Sequence, residues 1–246
     1  MSVNQNISSI EAIILRKFET EPFHNLYFIN QYEPSTTTFG GTCTDKVLSV
    51  YEELTTLGYE CYLHTALVKD VPSHFVLWII IKDQVFLADV GNGWPNIRLF
   101  TLEGNTSYSS YGIKFDSVLR GEYLDIIQTR SGISRCSTSI PINKQNEEKA
   151  RARIANRFNE TYPFSNGLRF AQVVNDQFLF LRDLTLYIYN PGDNFPQKIK
   201  LKTDMIRTII STKFRFDLHA FQEKLGIGEL KLYPSQLKIF EQKRDK

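Results

Sequence analysis

The feature that most constrains the fold is a change of hydrophobic period along the chain. From Cys61 to about Tyr189, apolar and polar residues alternate with a period of two, and Gly, Asn and Asp separate the short runs. Such a series of short strands is typical of an antiparallel barrel or curled sheet. On both sides of this region, apolar residues recur at steps of three and four, which predicts helices. We therefore predict an α+β multidomain chain, with a helical bundle over residues 1–60, a central antiparallel β-barrel over 61–189 and a C-terminal α/β lid over 190–246.

The helical segments carry start and stop residues. A first helix over residues 8–20 has capping-box spacing at its start. A charged segment over 145–159 is predicted to be a helix or loop whose charges face solvent. Near the C-terminus, Asp217 is placed to cap a helix that ends at Gly226, and a last short helix is predicted from Ser235.

Composition and charge argue against several classes of protein. The chain is 42% hydrophobic and 23% charged, which is ordinary for a globular protein. Its 29 basic and 27 acidic side chains leave a net charge of +2, so we expect neither a nucleic acid nor a membrane as partner. No apolar run has the length of a bilayer span, and the first residues lack the layout of a signal peptide. Three cysteines without framework or metal spacing predict no disulfides and no metal site. We expect a cytoplasmic protein, in which a free thiol stays reduced.

A cysteine at the start of a helix is the first candidate for chemistry. The run Gly40-Gly41-Thr42-Cys43 precedes a helical pattern that continues to Gly58. A helix N-terminus carries partial positive charge and unpaired amide groups, both of which favour a thiolate. A lone cysteine in this position is nevertheless most often a small buried residue. Cys43 therefore needs partners before it predicts an active site.

A hairpin supplies those partners. His74 begins an apolar strand, residues 82–83 interrupt it, and a second strand pattern ends at Asp89. A two-residue turn makes Asp89 a diagonal neighbour of His74 on one face, whereas an odd loop without a bulge puts them on opposite faces. If the first register holds, Cys43, His74 and Asp89 are predicted to act as nucleophile, base and orienting carboxylate. His64 is an alternative base, but no carboxylate pattern follows it, and we interpret it as a strand residue.

Taken together, these motifs resemble those of the arylamine N-acetyltransferases. That family carries Arg-Gly-Gly-x-Cys, a His at the head of a strand, and Asp-Val-Gly-Phe-Gly, and the spacing from His74 to Asp89 is the family's spacing. Residues 21–26, Glu-Pro-Phe-His-Asn-Leu, look like its Pro-Phe-Glu-Asn-Leu, and residues 159–170 look loosely like one of its barrel segments. The resemblance implies that acetyl-coenzyme A donates an acetyl group to an aromatic amine or hydrazine through an acyl-cysteine. It also implies that coenzyme A is a co-substrate and that no cofactor is permanently bound.

Three positions depart from the motifs of that family. Phe39 replaces the arginine before the glycines, Asp45 replaces a glutamate two residues after the cysteine, and Asn92 replaces the phenylalanine of the turn. The first two changes affect the support of the cysteine, and the third makes the rim of an acyl pocket more polar. We predict that Phe39, Thr42, Asn92 and Trp94 contact substrate, although hydrophobic packing explains Phe39 and Trp94 about as well.

Other functions remain open from the sequence. A relative of this architecture can form an amide from an acyl group held on an acyl carrier protein. The same three side chains also serve transglutaminase-like and hydrolytic cysteine enzymes, and a non-catalytic binding protein could keep the scaffold. The predicted partners are thus a small-molecule amine and an acyl thioester, with an acyl carrier protein as a further possibility.

Overall fold

The computed structural model describes residues 3–34, 38–158 and 167–233. The helix predicted from Ser235 and most of the 159–170 motif lie outside these residues. Within them, the predicted α+β class with a curled antiparallel sheet is confirmed. No helix of the described part is long and apolar enough to cross a membrane.

The described helices lie at the two ends of the chain and in one central insertion. They are α1 (Val3–Thr20), α2 (Leu26–Ile29), α3 (Cys43–Thr56), α4 (Glu147–Ala155), α5 (Ile206–Thr212), which follows a short 3-10 helix (Thr203–Met205), and α6 (Leu218–Leu225). The first helix begins five residues before the predicted start, and its buried side chains Ile10, Ile14 and Phe18 recur at the four-residue step of one helix face. The predicted cap of α6 is observed, because the Asp217 carboxylate accepts from two backbone amides and Gly226 adopts the left-handed conformation.

The strands form a large and a small antiparallel sheet. The large sheet contains β2 (Glu60–Val68), β3 (Val71–Ile81), β4 (Gln84–Ala88), β5 (Phe100–Thr101), β6 (Ser107–Ser110), β7 (Ile113–Arg120), β8 (Tyr123–Arg130) and β9 (Ile133–Pro141), in the order β5-β4-β3-β2-β9-β8-β7-β6. The small sheet contains β1 (Phe23–His24), β10 (Arg169–Val174), β11 (Gln177–Arg182), β12 (Thr185–Tyr189) and β13 (Gln197–Lys200), in the order β1-β10-β11-β12-β13. The strands that the sequence grouped in one barrel are therefore divided between two sheets.

The two sheets are the centres of two hydrophobic clusters. In the first cluster, α3 packs against β2 and β3 of the large sheet, and α1 packs against α3 and against β10 of the small sheet. The second cluster packs α2, α5 and α6 around the small sheet, which accounts for the apolar faces of the C-terminal helices. A parallel bridge between Phe23 and Gly41 ties the loop before α3 to the edge of the small sheet. The start of α3 thus lies where the two clusters meet.

Candidate active site

The N-terminus of α3 is closed by a capping box. The backbone amide of Thr42 donates to Oδ2 of Asp45 at 2.9 Å, and the Thr42 hydroxyl donates to the same oxygen at 3.2 Å. Both side chains are buried. Thr42 was predicted to contact substrate, and the structure gives its side chain a capping role. This cap fixes Cys43, the first residue of α3, which is 3% exposed.

Two glycines allow the chain to pass close to Cys43. Gly41 has φ of 142°, and a Cβ there would lie 2.4 Å from the Asp45 carboxylate, so the capping box needs a residue without a side chain. Gly91, in the turn after Asp89, approaches the cysteine itself, since a Cβ on it would lie 2.7 Å from the Cα of Cys43. The Asp-Val-Gly segment is therefore packed directly on the helix that carries Cys43.

The hairpin adopts the register that brings His74 and Asp89 together. Ile81 pairs with Gln84 and Leu77 pairs with Ala88, so the turn consists of the two residues 82–83, both with positive φ. As predicted for a two-residue turn, Asp89 follows β4 and lies on the same sheet face as His74. His74 Nε2 and Asp89 Oδ1 are 2.7 Å apart, with both side chains buried.

The imidazole of His74 lies between a carboxylate and a thiol. Burial lowers the pKa of His74, but the charge and hydrogen bond of Asp89 outweigh burial and raise that pKa to about 10. The Cys43 side chain lies within hydrogen-bonding reach of His74 and raises its pKa further. At neutral pH this site therefore holds an imidazolium next to the sulfur, which is the arrangement that activates a cysteine nucleophile.

The second oxygen of Asp89 is held by two donors. The Thr138 hydroxyl on β9 and the Asn92 side-chain amide each donate to Oδ2 at 2.9 Å. The carbonyl end of Asn92 accepts from the backbone amide of Trp94, also at 2.9 Å. Asn92 was predicted to make a pocket rim polar, but both ends of its amide are bound within the protein. Its observed contacts orient the carboxylate that orients His74.

Thr138 is a residue of this site that sequence reasoning missed. It lies 49 positions after Asp89 and follows the ordinary alternation of a strand, so no local signal distinguishes it. Trp94, which was predicted to contact substrate, packs against Phe178, Phe180 and Tyr189 of the small sheet, with ring centroids 4.8–5.9 Å apart. The guanidinium of Arg130, on β8, lies 3.8 Å from the centre of the Trp94 ring.

A buried arginine pairs with the carboxylate that caps α3. Arg157 Nη2 lies 3.4 Å from Asp45 Oδ1, and Nη1 donates to the Ile154 carbonyl at 3.0 Å. Burial raises the pKa of Asp45, and the Arg157 charge opposes that rise. Arg157 belongs to the segment over 145–159 whose charges were predicted to face solvent. For this residue the prediction is wrong, because Arg157 is only 6% exposed and pairs with a capping residue 112 positions away.

We expect Arg157→Met to destabilise the protein by about 3–5 kcal/mol, since it leaves the Asp45 carboxylate buried without its cation. Urea unfolding measures this loss. The double variant Asp45→Asn, Arg157→Met should recover part of it, because the amide keeps an acceptor for Thr42 and carries no charge. The matched control is Arg151→Met, which removes an exposed pair with Glu147 on α4. Equal losses from Arg157→Met and Arg151→Met would contradict a supporting role for Arg157.

The loop before Gly40 is held by aromatic packing. The motif that this chain resembles has a glutamate where the chain has His24 and an arginine where it has Phe39. In the structure these two replacements are in contact: His24 Nε2 lies 2.9 Å from the Phe39 carbonyl, and both rings pack on Phe216 and Phe221. Phe39, predicted to contact substrate, thus belongs to the second hydrophobic cluster. Aromatic packing thus occupies the two positions at which the motif has a glutamate and an arginine.

Acid should weaken this packing through His24. Burial lowers the pKa of His24 to about 3, below the 6.5 of an unfolded histidine. Between these values the unfolded chain binds a proton that the folded chain does not, so stability falls as pH falls below about 6.5. From pH 7 to 4.5 we expect His24 to account for a loss of about 2–3 kcal/mol. Urea midpoints at both pH values measure it.

His24→Gln should make this acid loss smaller, because the amide keeps a donor for the Phe39 carbonyl without titrating. The matched control is His219→Gln, on an exposed position of α6, which should leave the pH dependence as it is. An unchanged loss in His24→Gln would show that His24 is not its source. His64 adds to the acid loss in the same sense, since burial lowers its pKa to about 4.

The remaining candidates have other surroundings. His64 Nε2 is 2.8 Å from the Pro141 carbonyl, and its ring lies against Trp78 in the large sheet, as the interpretation of a strand residue requires. Cys61 is buried, and Cys136 is exposed. In the part of the chain that the structure describes, no group of three or more His, Cys, Asp or Glu side chains could hold a metal ion.

Comparison with known proteins gives one result for the sequence of this protein and another for its fold. No family model matches the sequence, and no curated protein matches it. Solved structures do match: the Nocardia farcinica arylamine N-acetyltransferase has a TM-score of 0.76 and 18% identity over 91% of this chain and 88% of that one. The Mycobacterium marinum arylamine N-acetyltransferase in complex with CoA has a TM-score of 0.75 and 17% identity over 91% and 92%.

A third match carries a variation of the site. The Bacillus cereus arylamine N-acetyltransferase, described as having a Cys-His-Glu catalytic triad, has a TM-score of 0.70 and 17% identity over 86% of this chain and 92% of that one. All three matches cover nearly the whole of both chains. The fold of this protein is therefore the fold of the arylamine N-acetyltransferases, as the sequence motifs implied.

Proposed function

We propose that this protein is a divergent arylamine N-acetyltransferase that transfers an acetyl group from acetyl-coenzyme A to an amine through Cys43. The observation that carries the proposal is the buried contact of His74 with Asp89 at 2.7 Å, with the Cys43 side chain on the same imidazole. A histidine with a purely structural role does not need a carboxylate that two further donors hold in place. A histidine that acts as general base must keep one ring orientation, and such a carboxylate fixes that orientation.

The first half of the reaction forms an acyl-cysteine. The Cys43 thiolate attacks the carbonyl carbon of the thioester, and the negative charge moves to the carbonyl oxygen. Backbone amides in the first turn of α3, at the positive end of the helix dipole, are suited to stabilise that oxyanion. The C–S bond to coenzyme A then breaks, and His74 gives its proton to the leaving thiolate. Asp89 keeps the imidazole in place throughout.

The second half transfers the acyl group to the amine. The amine nitrogen attacks the acyl-cysteine carbonyl while neutral His74 removes its proton. Collapse of the intermediate breaks the bond to sulfur and returns the Cys43 thiolate beside the imidazolium. The acceptor that the fold suggests is an aromatic amine or hydrazine. This chain has Asn92 where the family motif has phenylalanine. The Asn92 side-chain amide donates to Asp89 and is therefore not available to a substrate.

Intact-protein mass spectrometry tests the proposal. The protein is incubated with acetyl-CoA, longer acyl-CoA thioesters, an acyl carrier protein loaded with the same acyl groups, and a glutamine peptide, and then an arylamine is added. We expect a single acetyl adduct from acetyl-CoA that disappears when the amine is added. Adducts from carrier-bound thioesters alone would favour an amide synthase. Adducts from the glutamine peptide alone would favour transglutaminase-like chemistry, and the absence of any adduct would remove the proposal.

A further inference from the structure

A cluster of arginines lies beside the candidate active site. The arginine cluster consists of Arg130 at the end of β8, Arg135 on β9 and Arg182 at the end of β11. The Arg130 guanidinium lies 3.8 Å above the centre of the Trp94 ring, two residues from the Asn92 that holds Asp89. Among the described residues, every ion pair between an arginine and a carboxylate involves an arginine outside the cluster, so no described carboxylate pairs with the arginine cluster.

Strand register places the three side chains around one space. Gln128 and Arg130 are two residues apart on β8 and therefore share a face, and Gln128 pairs directly with Arg135 across the hairpin. On β11, Phe180 and Arg182 share a face in the same way, and the Phe180 ring lies 4.8 Å from Trp94. Burial lowers the pKa of Arg130, the nearby Tyr189 opposes that change, and the charges of Arg135 and Arg182 lower the pKa further. The two sheets thus direct like charges toward each other.

An unpartnered buried amide belongs to the same face. Gln128 is 3% exposed, and within the described part of the chain its Nε2 has no hydrogen-bond partner. A buried donor left without an acceptor costs free energy unless a ligand or water satisfies it. The same face of the hairpin also connects this space to the active site, because Ile126 is opposite Thr138, the donor to Asp89. From Ile126 to Arg130 the strand advances about 13 Å.

We propose that the arginine cluster binds the phosphate groups of a phosphorylated pantetheine acyl donor whose thioester reaches Cys43. This inference rests on the proposed function. Three guanidinium groups with no carboxylate partner suit a phosphate, whose oxygens accept paired hydrogen bonds from each planar fork. A pantetheine donor carries its phosphates and its thioester at opposite ends of an extended arm. The arginine cluster is linked to the candidate active site through Trp94 and through the strand pair that carries Thr138. Gln128 supplies one further donor toward the bound anion.

Equilibrium binding in a Cys43→Ala background tests the proposal without turnover. Calorimetry measures the Kd of CoA, 4′-phosphopantetheine and unphosphorylated pantetheine. Because Arg135 and Arg182 are exposed, Arg135→Met and Arg182→Met should fold normally, and each should weaken CoA binding about tenfold or more. Binding of pantetheine should not change, and added salt should weaken CoA binding only while the arginines are present. The matched control is Arg120→Met, at the opposite end of the β7–β8 hairpin.

The outcomes separate the two proposals. If the variants bind CoA as tightly as the parent, or lose CoA and pantetheine equally, the arginine cluster is not a phosphate site. Acylation of Cys43 by acetyl-pantetheine, which needs no phosphate contact, would then still support the proposed function. If CoA binding depends on the arginines but no thioester acylates Cys43, the phosphate site stands and the proposed function fails. Arginine dependence retained with 4′-phosphopantetheine identifies the pantetheine phosphate as the ligand, and dependence limited to CoA identifies its nucleotide phosphates.

Discussion

After incubation with acetyl-CoA, we expect the acetyl group on Cys43, although Cys136 is the cysteine that solvent reaches most easily. Cys43 is 3% exposed, whereas Cys136 is exposed on β9. Exposure alone would therefore favour Cys136. Cys43 instead has the helix N-terminus and the His74 imidazolium, which favour the thiolate that attacks a thioester. Burial raises the pKa of Cys61 to about 12, so that thiol stays protonated.

Cys43→Ala should remove the acetyl adduct and lower amine acetylation by about 10⁴-fold or more, because the variant lacks the thiol that the His74 imidazolium activates. Proteolysis and peptide mass spectrometry of the wild-type adduct locate the acetyl group. Cys136→Ala is the matched control and should retain both adduct and turnover. Acetyl found first on Cys136, or a Cys43→Ala variant within tenfold of wild type, would contradict the assignment of the nucleophile.

The parts of this site that the sequence predicts are those fixed by neighbouring residues. The two-residue turn at 82–83 determines the register of the hairpin, and the register alone places His74 and Asp89 on one face. Gly41 and the helical pattern after it likewise determine that Cys43 begins a helix. In each case the physical constraint acts within about twenty residues, so a single sequence contains it.

The parts that the sequence does not predict depend on contacts between distant segments. Thr138 reaches Asp89 across 49 positions, and Arg157 reaches Asp45 across 112. An isolated threonine on a strand or arginine after a helix carries no mark of such a partner. The small sheet likewise includes a contact between distant segments, because β10 pairs with the two-residue strand β1 near the N-terminus.

We expect acyl transfer to require a carboxylate at position 89, and not only a side chain of the same shape. In Asp89→Asn, the Thr138 hydroxyl and the Asn92 amide still donate to the place of Oδ2 and would hold the new carbonyl oxygen there. The new NH₂ group must then face His74 Nε2, 2.7 Å away in the wild type. A donor at that point selects the wrong imidazole tautomer, so His74 can no longer take the proton from Cys43. We expect acyl transfer to fall by about 10⁴-fold with the fold intact.

A titration distinguishes this effect from general damage. In the wild type Asp89 raises the pKa of His74 to about 10, above the unfolded value of 6.5, so this pair stabilises the protein fully below pH 6.5 and loses its contribution as pH rises toward 10. Without the carboxylate, burial of His74 is opposed only by Cys43, so we expect the pKa of His74 to fall, which NMR of the imidazole measures. Asp83→Asn, in the exposed hairpin turn, is the control and should alter neither activity nor this titration. Equal losses of activity in Asp83→Asn and Asp89→Asn, or a His74 pKa still near 10 in Asp89→Asn, would show that Asp89 does not govern the imidazole.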